Sequence, residues 1–85
     1  MRYSVEFTVS ALREFKALDR SMQRRIATRI DELAGNPFPP DVKKLRGTPG
    51  HYRIRARDYR VIYRIEHKRV VIVVVKIGHR RDVYR

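Results

Sequence analysis

The 85-residue sequence contains no cysteine. Disulfide staples and thiolate metal sites are therefore excluded. Its longest apolar run is Val70 to Val75, too short to span a bilayer, and nothing after Met1 has the pattern of a signal peptide. A cytoplasmic protein that does not enter a membrane is the expectation. Proline occurs only between residues 36 and 50. No repeat and no low-complexity tract is visible. Acidic side chains are scarce in one part only: residues 1–42 carry 7 basic and 6 acidic side chains, residues 43–85 carry 14 and 3. The net charge of +12 is thus concentrated in the second part, and such a surface attracts polyanions, RNA or DNA first and an acidic protein second. The length allows one small core, so residues 1–85 are read as a single domain.

Periodicity gives the elements. Tyr3, Val5 and Phe7 alternate with polar residues, as in a half-buried strand. Thr8 or Ser10 can cap a helix whose apolar stripe is Ala11, Leu12, Phe15 and Leu18. Asp19 or Ser21 restarts the chain as a second helix with the stripe Met22, Ile26, Ile30 and Leu33. Gly35, Asn36 and Pro37 end it. Residues 36–50 read as a structured loop around Lys43, Lys44 and Arg46. From His51 the period is two, with turns at Asp58 and at Glu66 to Arg69. Val70 to Val75 read as a strand buried on both faces, ended by Gly78. The expected fold is α+β in the order βααβββ: an antiparallel sheet with the helix hairpin on one face and the first strand at an edge.

Alternation then puts Tyr52, Tyr59 and Tyr63 on the helix side, and Arg53, Arg55 and Arg60 on the opposite face. Arg80 and Tyr84 come from the tail beyond the last strand. An exposed arginine on a sheet is commonly just solvated. Several on one pleated face repel each other unless an anion is to be met there. Lys43, Lys44, Arg46, His79 and Arg81 are candidate RNA contacts, and His79 is also an alternative acid or base. His51 is a weaker one, and His67 lies in a turn. The three histidines are not spaced as a metal site and no carboxylate pair accompanies them, so neither a metal nor another cofactor is expected. A phosphate-cradling glycine loop and a nucleophile elbow are absent as well.

The run KLRGTPGHYRIRARDYRVIYRI, the valine strand after it and the tail GHRRDVYR resemble the RelE/ParE superfamily of toxins from bacterial and archaeal type II toxin–antitoxin pairs. The Phe7–Thr8 turn and the helix hairpin extend the resemblance over nearly the whole chain. The tail and the Tyr59-Arg60 pair fit the RelE-like branch. That resemblance implies an endoribonuclease, an mRNA interferase that cuts messenger RNA in the ribosomal A site and inhibits translation. It implies that Arg53 and Arg55 hold the RNA backbone, that Arg60 and Arg80 contact and stabilise the scissile phosphate, and that Tyr84 activates the ribose 2′-hydroxyl. Positions 53 and 55 are usually lysine in such toxins. Arginine is the better phosphate fork and the poorer proton donor. The partners implied are an acidic antitoxin, the ribosome and its message, and operator DNA for the toxin–antitoxin complex. One alternative is a ParE-like toxin that inhibits DNA gyrase without hydrolytic residues. Another is a nucleic-acid-binding module with no activity.

Cutting RNA by 2′-hydroxyl attack on the adjacent phosphorus requires removal of a proton and cover for the charge on phosphoryl oxygens. Guanidinium groups supply the second. A phenol with a pKa near 10 supplies the first only when cations favour phenolate.

Overall fold

Each helix begins where a short polar side chain takes over a free backbone donor. The computed structural model describes residues 2–81. Along them run β1 (Ser4–Phe7), α1 (Val9–Lys16), α2 (Arg20–Gly35), β2 (Lys43–Lys44), β3 (His51–Ala56), β4 (Tyr59–Glu66) and β5 (Val71–His79). Thr8 Oγ1 accepts the Ala11 amide at 3.1 Å and Asp19 Oδ1 accepts that of Met22 at 2.8 Å. Such a cap is worth about 1 kcal/mol. Only Ala17, Leu18 and Asp19 separate the helices.

The sheet order is β1-β5-β4-β3-β2. β1 lies parallel to β5, and every other pair is antiparallel. The expected α+β arrangement and the edge position of the first strand are both present. Lys43 and Lys44 are not loop residues: they pair with Arg53 and Tyr52 as a short edge strand.

The core lies between the helices and one sheet face. Ile26, Ile30 and Leu33 of α2 meet Ile54, Val61, Tyr63, Ile72, Val74 and Ile77. Burying each such side chain contributes about 1.5–3 kcal/mol. Tyr63 donates its hydroxyl hydrogen to the Pro37 carbonyl at 2.5 Å, which ties the chain after α2 to the core. Burial, above all, pushes the Tyr63 phenol well above its usual range, so it stays a donor.

Three further expectations need correction. Leu12 is 41% exposed rather than core, because Ala11 takes the inward position of α1. The buried valine run is shorter than the sequence shows: Val70 has φ +56° and belongs to the turn, and β5 starts at Val71. Gly78 does not end the strand, which continues to His79. A register shift between Ile62 and Tyr63 skips Val75, since Ile62 faces Lys76 while Tyr63 faces Val74. That bulge changes the alternation midway along β5.

Ion pairs close the end of the sheet at the β4–β5 turn. Glu66 takes Arg69 at 2.5 Å and Arg64 at 2.7 Å, and Arg69 also reaches Glu6 of β1. The Arg69 hydrogen bond first, and that of Arg64 next, hold the Glu66 carboxyl at about 2, below its ordinary 4.5. The folded state therefore gains stability that is complete above the ordinary value and disappears as pH falls through about 2. In urea titrations at successively lower pH, Glu66→Gln is expected to lose stability less steeply than the wild type across that window. Identical acid profiles would show that the pairs have no stabilising role.

Candidate nucleic-acid interface

Register decides which cations share a face. In the β3–β4 ladder Arg53 lies opposite Ile62 and Arg55 opposite Arg60, while Ile54 and Val61 pair on the core side. Arg53, Arg55 and Arg60 therefore stand together on the face turned away from the helices, as alternation requires. Lys43 lies opposite Arg53 and extends the row to the sheet edge. Lys44, opposite the core-packed Tyr52, takes the other side.

This face is not simply solvated. Arg53 is half-buried and Arg60 is only 9% exposed. Val71, Val73 and Ile62 are buried on the same face, so the cations rise from an apolar floor. Low local polarity strengthens whatever a guanidinium meets there. Arg60 Nη1 donates to the Tyr59 carbonyl at 3.3 Å and the Arg57 carbonyl at 3.4 Å, which turns the side chain toward the β3–β4 hairpin.

The start of the tail is pinned at that same hairpin. The Arg80 amide donates to the Asp58 carbonyl at 2.7 Å. Arg80 and Arg81 are exposed there, at the end of the sheet that carries Arg55 and Arg60. Tyr84 lies outside the described residues. Among the described residues, Arg55, Arg57, Arg80 and Arg81 make no ion pair, whereas Arg29, Arg64, Arg69 and Lys76 each hold a carboxylate.

Other candidates fall elsewhere. His79 pairs with Tyr59, not with Arg60, and so points to the helix side of the sheet. Its ring meets the Tyr59 ring edge-on at 5.6 Å, and its Nδ1 accepts the Arg81 amide at 3.2 Å. His51 pairs with Arg64, at the other end of β3 from Arg55. Arg46 sits in the β2–β3 turn at that remote end too, closed by the Leu45 amide on the His51 carbonyl. Among the described residues, no three His, Asp or Glu side chains group in a way that could hold a metal ion.

Two residues that sequence reasoning passed over shape the site. Arg29 Nε donates to the Arg55 carbonyl at 3.0 Å while its Nη atoms bond Asp41 at 2.6 Å and Glu32 at 3.1 Å. It covers the edge of β3 where β2 has ended. Glu14 of α1 accepts the Ile77 amide at 2.9 Å and pairs with Lys76 at 3.2 Å. It replaces a neighbouring strand for β5 beyond the end of β1, and so steadies the segment leading to Arg80. Neither contact leaves a local signal in the sequence, since each joins residues distant along the chain.

Known proteins share this fold and much of this sequence. The model of the ParE toxin family of type II toxin–antitoxin systems, parDE, matches residues 5–84. A protein of Escherichia coli named as a RelE-like toxin is 38% identical over 99% of this chain and 92% of its own. The mRNA interferase toxin RelE of Escherichia coli strain K12 is 31% identical, with the same coverage. The archaeal RelE–RelB complex of Pyrococcus horikoshii contains a chain that superposes with a TM-score of 0.81 at 34% identity, over 98% of this chain and all of that one.

Proposed function

Because the chain belongs to the ParE toxin family of type II toxin–antitoxin systems, within the RelE/ParE superfamily, we propose that it arrests translation by cutting messenger RNA on the ribosome. The observation that carries this reading is the meeting of Arg55, Arg60 and the anchored Arg80 at one end of the sheet, on and beside a face whose floor is apolar. In the proposed reaction the ribose 2′-hydroxyl attacks the adjacent phosphorus, the bond to the 5′-oxygen breaks, and that oxygen takes up a proton from solvent as it leaves, without a metal ion. Arg60 and Arg80 offset the charge that builds on the phosphoryl oxygens. Arg53 and Arg55, with Lys43 at the edge, hold the RNA backbone as planar forks. Tyr84 takes the 2′-hydroxyl proton, its phenolate favoured by the arginines that neighbour it in the sequence.

This set offers charge stabilisation and little acid–base equipment. Positioning by the ribosome then supplies part of the rate, and free RNA is a poor substrate. The proposed protein partner is an acidic antitoxin that covers the positive face, in keeping with the RelE–RelB complex among the solved relatives. Operator binding by the pair is proposed as its second role.

The test is a translation reaction in which cut message ends are mapped for the wild type and Tyr84→Phe. The wild type is expected to cut within the A-site codon and Tyr84→Phe to lose cleavage. Cutting by Tyr84→Phe at the wild-type rate would remove the phenol from the mechanism. Intact message alongside stabilised gyrase–DNA breaks would overturn the nuclease reading in favour of a gyrase poison.

A further inference from the structure

A second cationic feature lies around the sheet edge from the Arg55–Arg60 pair. β2 pairs with β3 only at Tyr52 and Arg53, so beyond Arg53 the edge of β3 opens toward α2. A groove of about 460 Å³ runs between them, lined by Arg25, Thr28, Arg29 and Glu32 of α2 and by the chain from Arg55 to Arg57. Arg29 is occupied by Asp41, Glu32 and the Arg55 carbonyl. It serves as a wall, and its partner carboxylates are engaged with it. Arg25, Arg55 and Arg57 make no ion pair among the described residues. Arg25 stands one helical turn before Arg29 on the same face of α2, with the Thr28 hydroxyl beside it.

The backbone of Arg57 adds an independent observation. It is the first of the two residues in the β3–β4 turn and has φ +56°. Glycine takes this position in tight hairpins without steric cost. A residue with a side chain costs roughly 1–2 kcal/mol there. Among the described residues Arg57 makes no ion pair with a carboxylate.

We propose that this groove is a second RNA-backbone subsite, in which Arg25, Arg55 and Arg57 take the phosphodiester of a nucleotide flanking the one held on the open face. The inference rests on the reading of that face as an RNA site. Arg55 stands on the open face by its register and lines the groove at the edge of β3, so the two places are adjacent. Guanidinium forks match phosphate oxygens. An acidic protein segment is the poorer occupant, because Ala56 is the only apolar residue in the lining and such a segment would find no pocket for an anchor.

The experiment measures binding of a fluorescein-labelled short single-stranded RNA by anisotropy across a salt series. Removing one cation that neutralises a phosphate lowers the slope of log affinity against log salt by about 0.7 for a single strand. Arg25→Gln combined with Arg57→Gly is expected to lower it by roughly 1.4. Arg57→Gly alone is expected to lower the slope while holding or raising the melting temperature, so misfolding cannot account for the weaker binding. Arg13→Gln with Lys16→Gln, on the exposed side of α1, removes the same charge elsewhere and is expected to leave the slope unchanged. An unshifted slope in the groove variants, or an equal shift in the α1 control, would overturn the subsite. Weakened binding of polyglutamate with RNA binding intact would also overturn it, in favour of protein docking. Intact message from the wild type, with the groove-dependent slope present, removes the nuclease reading alone. Cut message with an unshifted slope removes the subsite alone.

Discussion

Arg80→Ala is expected to lower message cleavage on ribosomes by about 10²–10³-fold, the usual cost of removing one donor that stabilises charge in the transition state. Folding is expected to survive intact. The Arg80 side chain is exposed and makes no ion pair among the described residues. Its backbone amide anchors the tail to Asp58, and alanine keeps that amide. Exposed substitutions of this kind change stability by less than about 0.5 kcal/mol. The same experiment at Arg60 is harder to interpret, because Arg60 is nearly buried and donates to two carbonyls of the hairpin. Arg60→Ala would lose stability as well as cleavage. Arg60→Lys keeps the charge, gives up the fork and separates the two effects. Urea midpoints alongside mapped message ends provide the check, and an Arg80→Ala protein that cuts like the wild type would take Arg80 out of the reacting centre.

Tyr63→Ala is expected to cost about 3–5 kcal/mol, in the range for removing a large buried ring. A chain of this length has roughly 4–13 kcal/mol of stability in all, so the variant is expected to lose from about a quarter to all of it. Tyr63 is fully buried in β4, its ring packs beside that of Tyr52, and its hydroxyl serves the Pro37 carbonyl. Tyr63→Phe isolates the last contribution. It keeps the ring and strands one acceptor, at about 1–3 kcal/mol, or roughly 4–8 °C of melting temperature per kcal/mol. Equal urea midpoints for Tyr63→Phe and the wild type would show that the bond contributes nothing net.

Much of the fold was legible because side-chain period is a local property. Met22, Ile26, Ile30 and Leu33 recur every three or four residues, and all but the partly buried Met22 are buried in the core. Tyr52, Ile54 and Ala56 alternate with Arg53 and Arg55, and the two sets do part to opposite faces. Local pattern failed in three places, and in the last two the sheet ladder overrode it. Leu12 fits a helical stripe yet faces outward. Lys43 and Lys44 sit in a proline-rich stretch yet find a strand to pair with. His79 adjoins Arg80 in sequence, but the ladder turns it toward Tyr59.

Sequence by itself determined the type of every element but the short β2, the side of the sheet to which the tyrosines and arginines of β3 and β4 belong, and the excess of positive charge. Only the tertiary structure decided that the Arg80 amide docks on Asp58, that Arg29 closes the open edge of β3, and that Arg25 of α2 comes to share a groove with Arg57. The physical reason is range: alternation is written residue by residue along one strand, whereas strand order, bulges and edge contacts are fixed by hydrogen bonds between segments far apart in the chain.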